Sequence, residues 1–463
     1  MQNRREFLLG TMMAGVAGAS AAGCSTLDGG RSGGVSGAPM IGFRCKPLAT
    51  VRVGVVGCGS RGLGMIGRVS KLPGVRVTAV CDIQRKKIDM AQASLQNQGQ
   101  ARARVFAGPK AYEQLCGFEG VDVVYNTTPW FLHVPVARAA LAGGKHVFTE
   151  VTTAMTVDEC WELVETAEKN RLHCMQLENC IYGEIEMLTF NLARQGLLGE
   201  ITNAEGAYNH DGRHMINDLF PAYQYWRYDH YRAHAGNPYP THGLVPLCLT
   251  MDVNRGDRLD YIVSMDSKEA SFSYFMAHAG RKGNPRLGQK VKMGDMSETL
   301  IRTVNGKTIH LQHTVGTPRP YSRLQFVSGT RGVVADYPYR IALEAKCGDG
   351  RTHQWMSEEA AKAIREKYRH PLWKTIGELA KKMGGHGGID YIQDARWSYC
   401  LREGLPLDTT VYDLASTGCL CELTERSATS RSRALDVPDF TRGAWKTAPK
   451  MSMIDIDLSK FRV

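Results

Sequence analysis

The stretch "VRVGVVGCGSRGLG", Val51–Gly64, starts as an apolar run and ends in glycines. Val51–Val56 has the composition of a buried strand, and Gly57, Gly59 and Gly62 follow it at G-x-G-x-x-G spacing. In this pattern the first glycine makes the tight turn and the second lets the backbone approach a pyrophosphate. The third lets helix and strand pack closely. A helix predicted through about Leu72 points its unpaired N–H groups at the phosphates. A second apolar strand, Val75–Cys81, ends at Asp82, about twenty residues on, where a carboxylate accepts the ribose hydroxyls and repels a 2′-phosphate. Strand, loop, helix, strand and acid in this order predict a dinucleotide site. Asp82 favours NAD, while Arg85–Lys87 keeps NADP open.

The alternation continues. Strands are predicted at Val121–Asn126, His146–Val151 and Leu172–Asn179, with helices at His133–Leu141 and, behind the capping box of Thr156 and Glu159, through Asn170. This is the pattern of a doubly wound parallel sheet of the Rossmann kind. Ligands sit at the carboxyl ends of such strands, which nominates Thr127–His133, Glu150–Val151 and Glu178–Asn179. After Tyr182 the pattern changes to a helix over Gly183–Leu198, an aromatic-rich segment around Tyr223–Tyr231, and alternating runs. Those runs, "EASFSYF" at Glu269, "TLIRTV" at Thr299, "TIHLQH" at Thr308 and "LQFVSG" at Leu324, predict an open, mostly antiparallel sheet, followed by C-terminal helices. The fold class is therefore α/β, a Rossmann domain followed by an α+β domain.

A length of 463 residues implies two domains. Apolar content of 43% and charged content of 22% are ordinary for a globular chain. The net charge of +11 is spread out, and aromatic residues do not interleave with it, which argues against a nucleic-acid partner. Thirteen cysteines with no C-x-x-C pair support neither a disulfide framework nor a metal site. At the N-terminus, Arg4-Arg5 precedes an apolar run from Phe7 to Ala22, too short and glycine-rich for a membrane span. Residues 1–24 read as a signal peptide of the twin-arginine type, whose export machinery carries folded cargo. Ala21–Cys24 fits a lipoprotein box with a lipid anchor on Cys24, and Ala19–Ala21 equally fits ordinary cleavage. Both readings place the chain at the cell envelope, anchored or free. Residues 25–48 read as a flexible linker, 49–180 as the nucleotide domain and 181–463 as the substrate domain.

Seven segments carry a family resemblance: "TPW" at Thr128, "EV" at Glu150, "LENCIYG" at Leu177, "YPTHG" at Tyr239, "RPY" at Arg319, "GHGGIDY" at Gly385 and "VPDF" at Val437. With the two-domain plan, they resemble the glucose-fructose oxidoreductase/inositol dehydrogenase superfamily. Within it they resemble glycoside hydrolase family 109, the NAD-dependent α-N-acetylgalactosaminidases. The dehydrogenases of that superfamily usually carry Glu-Lys-Pro where this chain has Glu150-Val151-Thr152, and the absence of the lysine favours the hydrolase branch.

The resemblance implies a redox-neutral reaction on a glycan bearing terminal N-acetylgalactosamine. A hydride leaves C3 of the sugar, a base removes the C2 proton, and the glycosidic oxygen departs from C1. Water then adds and the hydride returns. This differs from the paired carboxylates of ordinary glycosidases. The resemblance implies His242 as acceptor of the O3 proton, Tyr182 as the C2 base or a relay, and Glu150 in the proton chain or at the nicotinamide ribose. For the cofactor it points to Ser60, Arg61, Asp82, Trp130, His133, Glu150, Val151 and Asn179, beside the glycines already named. For the sugar it points to Tyr208, Arg227, Tyr239, Thr241, His242 and Tyr321, with Arg227 alternatively reaching NAD. His386, in the Gly-His-Gly-Gly run, reads as a structural loop. Superfamily members often dimerise through the open sheet, so a homo-oligomer is expected by analogy. A periplasmic sugar oxidoreductase and a non-catalytic sugar-binding lipoprotein are the rival readings, and the preference for α- or β-linked substrates stays open.

Overall fold

The computed structural model describes residues 37–213, 225–280, 286–344, 353–451, 454–459 and 461. The segment read as an export signal, with Arg4, Arg5 and Cys24, lies outside the described residues, as does Tyr223.

The first sheet alternates strand and helix without exception. It runs β1 (Val51–Val56), α1 (Ser60–Val69), β2 (Val75–Asp82), α2 (Arg85–Asn97), β3 (Arg104–Ala107) and α3 (Ala111–Gly117). It continues through β4 (Val123–Asn126), α4 (Trp130–Ala142), β5 (His146–Thr149), α5 (Val157–Asn170) and β6 (Cys174–Gln176). The six strands are parallel in the order β3-β2-β1-β4-β5-β6, so the order reverses beside β1. That reversal opens a crevice at the carboxyl ends of β1 and β4, where the glycine loop lies. The capping box of Thr156 and Glu159 is present at the start of α5.

The second half comprises α6 (Glu184–Arg194), β7 (Ile201–Asn209), α7 (Tyr225–Ala233), α8 (Thr241–Thr250), β8 (Leu259–Asp266) and α9 (Ser271–Ala279). Then come β9 (Ser297–Thr303), β10 (Thr308–Thr314), β11 (Phe326–Gly329), β12 (Gly332–Ala335) and β13 (Arg340–Leu343). The chain ends with α10 (Glu358–Tyr368), α11 (Pro371–Met383), α12 (Ile389–Glu403), α13 (Val411–Gly418), α14 (Leu420–Thr429) and β14 (Leu435–Asp436). The eight strands pair in the order β13-β12-β11-β7-β10-β9-β8-β14, antiparallel except for β7 with β10. On β9 the residues alternate, with Ser297, Thr299, Ile301 and Thr303 buried and Glu298, Leu300 and Arg302 exposed. One face of the sheet therefore packs inward and the other is open.

Three expectations are corrected. "EASFSYF" forms the helix α9 rather than a strand. Phe272 and Met276 are its buried residues, a spacing of four that suits a helix. The carboxylates of Glu269 and Asp295 take up N–H groups of its first turn, at Ser273 and Ser271. The helix expected over Gly183–Leu198 is shorter, because Gly196 and Gly199 turn the chain with positive φ. The linker is not free throughout. The Met40 N–H donates to the Tyr412 hydroxyl at 3.2 Å, and Leu48 N–H donates to Leu401 O at 3.0 Å.

The C-terminal part also returns to the first sheet. On α12, the buried Asp394 accepts from Arg68 Nε of α1 at 3.0 Å and from the Tyr125 hydroxyl of β4 at 3.1 Å. Trp397 packs against Tyr125 and Phe148. One face of the parallel sheet is thus closed by residues more than two hundred positions downstream.

Candidate active site

The glycine loop is held as its spacing predicts. Gly57 has φ +92°, and a Cβ there would lie 2.9 Å from the Thr127 carbonyl oxygen. A Cβ at Gly62 would lie 2.0 Å from the Gly57 carbonyl oxygen, so this position admits glycine alone. Gly59 faces open space, and as N-cap of α1 it offers no side chain to the first turn. The donors of that turn are left for a ligand. Asp82 is fixed at the end of β2, accepting from the N–H groups of Cys58 at 2.7 Å and Gln84 at 2.8 Å. An open cradle at a helix N-terminus with an anchored carboxylate on the neighbouring strand fits a dinucleotide.

The cradle is one end of a cleft of about 990 Å³. Its walls include Gly57, Gly59, Ser60, Arg61 and Asp82 from the first two strands, and Trp130, His133, Glu150, Val151 and Asn179 from the strand ends further along the sheet. The opposite wall brings Tyr208 from β7, Arg227 from α7, and Tyr239 and His242 from the start of α8. Fourteen of the proposed cofactor and sugar residues therefore border one space.

His242 owes its place to its neighbour. A Cβ on Gly243 would lie 2.4 Å from the Ala207 N atom, and one on Gly206 would lie 2.2 Å from the Gly243 carbonyl oxygen. Helix α8 can cross β7 at this distance only because both residues are glycine. The crossing sets the first turn of α8 over Glu178, at the end of the parallel sheet. His242 Nδ1 meets the two oxygens of Glu178 at 2.7 and 2.9 Å. With Nδ1–H donating to the carboxylate, Nε2 is the free base, and it lies 3.5 Å from the Tyr239 hydroxyl. Burial alone would push the Glu178 carboxyl up, but the His242 imidazole and its hydrogen bond bring it below the usual range. Tyr239 stacks on Tyr208 with ring centroids 4.3 Å apart, and burial pushes the Tyr208 phenol up to about 12. The Arg227 guanidinium lies over Trp130, Trp226 and Tyr239 at 5.1 to 5.5 Å. This wall offers neutral hydroxyls, aromatic faces and one cation.

On the cofactor side, Glu150 accepts from Arg61 Nε at 2.7 Å, while burial pushes its carboxyl up against the pull of that guanidinium. Trp130 Nε1 donates to Val151 O at 3.1 Å, which fixes the indole in the wall. His133 has both ring nitrogens against backbone carbonyls, those of Thr152 at 2.8 Å and Thr128 at 2.7 Å. It shapes the wall and presents no free nitrogen. Asn179 directs its amide to Asp390.

Four nominated residues are not in the walls. Gly62 lies behind the loop, as its packing role requires. Thr241 is buried beside His242. Tyr321 stands outside, 43% exposed, edge-on to Tyr208 and accepting from Arg323 Nη1 at 3.0 Å. Tyr182 is the correction that matters. Its ring is fully buried, its hydroxyl donates to Asp408 at 2.7 Å, and Asp408 is paired with Arg396 at 2.7 Å. Burial, then the neighbouring Asp408 carboxylate, pushes this phenol far above its usual value. A phenol so placed is not a base for the cleft.

Two residues acquire roles that the sequence does not assign them. Glu178 is visible as a strand end, but its partner is 64 positions away. His386, expected as a structural loop, borders the cleft, and Asp390 joins it to Arg61 and Asn179.

Residues 182–447 match the glycosyl hydrolase 109 C-terminal domain. The chain belongs to glycosyl hydrolase family 109. Residues 51–177 match the oxidoreductase family's NAD-binding Rossmann fold, so the cradle belongs to an NAD-binding domain. A family 109 protein of Solibacter usitatus is 44% identical over 411 residues, covering 88% of this chain and 92% of that one. The α-N-acetylgalactosaminidase of Bacteroides fragilis is 41% identical over 411 residues, covering 88% and 96%. Among solved structures, levoglucosan dehydrogenase in complex with NADH superposes with a TM-score of 0.64 at 18% identity, over 84% of this chain and 99% of that one. At that identity the likeness is one of fold. A glycosyl hydrolase built on a dehydrogenase fold accounts for a cleft that has a nucleotide cradle at one end and a histidine among tyrosines at the other.

Proposed function

We propose that this family 109 hydrolase removes terminal, α-linked N-acetylgalactosamine from a glycan, with no net oxidation. The observation that carries the reading is the Glu178–His242 pair, which presents a free imidazole nitrogen to the same cleft that holds the nucleotide cradle. When bound, NAD supplies a hydride acceptor that later becomes the donor. The chain's own residues supply the rest. His242 Nε2 accepts the proton of the sugar O3, and Glu178 holds the ring in the required tautomer and steadies the imidazolium. Tyr239, hydrogen-bonded at 3.5 Å, relays the proton and keeps the hydroxyl aligned. Glu150 is the second base of the cleft, its basicity raised by burial, and takes the role that Tyr182 does not reach. Tyr208, Tyr239 and Trp226 provide stacking surface for a sugar ring, and Arg227 gives the same wall a cation suited to an oxygen that gains charge as the C2 proton leaves.

The N-terminus supports export of the loaded enzyme by the twin-arginine machinery, with the chain either lipid-anchored at Cys24 or freed by ordinary cleavage at Ala19–Ala21. Outside the cytoplasm a dehydrogenase would need its cofactor recycled, whereas a hydrolase that returns its hydride would not. The test is incubation of the purified protein with a nitrophenyl α-N-acetylgalactosaminide in deuterated water. The expected result is release of nitrophenol with no net NADH and with deuterium at C2 of the sugar. Net NADH without glycoside cleavage would make the protein a sugar oxidoreductase instead.

A further inference from the structure

The loop Gly384–Gly388 has five consecutive residues at positive φ: 79°, 83°, 46°, 72° and 106°. Four are glycine, for which this region carries no penalty; the fifth is His386. A Cβ on Gly388 would lie 2.7 Å from the Ala380 carbonyl carbon, so the loop is pressed against the end of α11 and cannot be rebuilt with ordinary residues. Such a run of unfavourable backbone around one non-glycine residue, at the edge of a cleft, invites a functional reading.

The side chain has a purpose-built support. His386 Nδ1 meets Asp390 Oδ2 at 2.9 Å, while the ring is 65% exposed and borders the cleft beside Arg61, Gly64 and Arg68 of α1. Asp390 itself is buried and held by Arg61 at 2.7 Å. Nε2 is therefore the ring nitrogen left for a ligand. The charge of this wall points the same way. Arg61 is spent on Glu150 and Asp390, and Arg68 on Asp394 at 3.0 Å. Arg61, in the first turn of α1, thus faces two carboxylates beside the helix terminus that must receive phosphate. Between the Asp390 carboxylate and a bound pyrophosphate, His386 would donate from both ring nitrogens, adding an N–H donor from outside the nucleotide domain.

We infer that His386, braced by Asp390, is a clasp that binds the pyrophosphate of NAD from the C-terminal half of the chain and slows its release. The inference rests on the NAD reading of the cradle and adds a residue that the glycine motif does not contain. It also supplies a means of retention for a cofactor that must stay bound after export.

The experiment uses the full chain loaded with NAD. His386→Asn keeps the left-handed backbone, which Asn adopts more readily than most residues, and can still reach Asp390, but lacks the ring. His386→Ala removes both contacts. Bound NAD per chain is measured after gel filtration, and the release rate by displacement with labelled NAD. Loss of one charge-assisted hydrogen bond should speed release by about tenfold or more in both variants. ADP-ribose binding should weaken in parallel, and adenosine binding should not change. Release at the wild-type rate would overturn the clasp, and so would equal weakening toward adenosine, which lacks the pyrophosphate. If the wild-type chain takes up no NAD under any loading condition, the reading of the cradle fails with it, and that outcome is distinct from the other two.

Discussion

Glu178 and Tyr182 sit four residues apart in one short turn, and they serve different parts of the molecule. At one end, Glu178 holds His242 at the edge of the cleft. At the other, Tyr182 turns into the core, where its hydroxyl meets Asp408 and its carbonyl accepts from Trp373 Nε1 at 2.8 Å. Both are fully buried and both have an ionisable partner, so neither burial nor pairing separates them. The difference is in what the partner can reach. His242 still has a nitrogen facing the cleft, whereas Asp408 is closed off by Arg396. A buried charged pair marks a working site only when one member keeps an atom on an open space.

The comparison is tested hardest at its cleft end. His242→Ala removes the free base, and kcat/KM for the galactosaminide should fall by about a thousandfold, as expected for loss of a general base. Bound NAD per chain should be unchanged, because the cradle lies at the other end of the cleft. A loss of activity explained by lost NAD would mean that His242 serves the cofactor instead.

Glu178→Gln keeps the size of the side chain and removes its charge. Loss of the charged hydrogen bond should cost kcat about 10- to 100-fold with KM nearly unchanged. Stability offers a second readout with a definite sign. The folded state holds the Glu178 carboxyl below its unfolded value, so the stabilisation is complete above an unfolded pKa of about 4.3 and is lost as pH falls through the folded value. The gap in melting temperature between wild type and variant should therefore be widest near neutral pH and close below about pH 4. A gap that does not change with pH would show that the Glu178 carboxyl is not ionised in the fold.

The nucleotide half was legible in the sequence because its physics is local. The packing of Gly62 on Gly57 and the anchoring of Asp82 by Cys58 are set by neighbours within about thirty residues of chain, as the βαβ unit requires. The sugar half was legible only through family segments. Nothing in "LENCIYG" says which of its side chains faces out, since a tight turn points successive residues in different directions. His242 was found from its motif, but its partner depends on α8 crossing β7 at Gly206 and Gly243, a contact no periodicity reveals. "EASFSYF" failed for a related reason. Its apolar residues fit spacings of two and of four, and the capping carboxylates of Glu269 and Asp295 decide for the helix. His386 reads as a loop residue because its brace is four residues away, within ordinary loop distance, while its place at the cleft depends on α12 packing against α1.

The smallest effect is expected at the core end. Tyr182→Phe deletes one hydroxyl and leaves Asp408 with the two hydrogen bonds from Arg396, so no buried charge is stranded. The cost should be that of one buried hydrogen bond, about 1–2 kcal/mol of stability, seen as a melting temperature a few degrees lower. Turnover of the galactosaminide should stay within about twofold of wild type, since only groups that act on the transition state change the rate. The two readouts separate the roles cleanly. A base at C2 would lose orders of magnitude in kcat and leave the melting temperature almost unchanged. A core phenol does the reverse, because the Asp408 that accepts its proton is already held by Arg396 and has no path to the cleft.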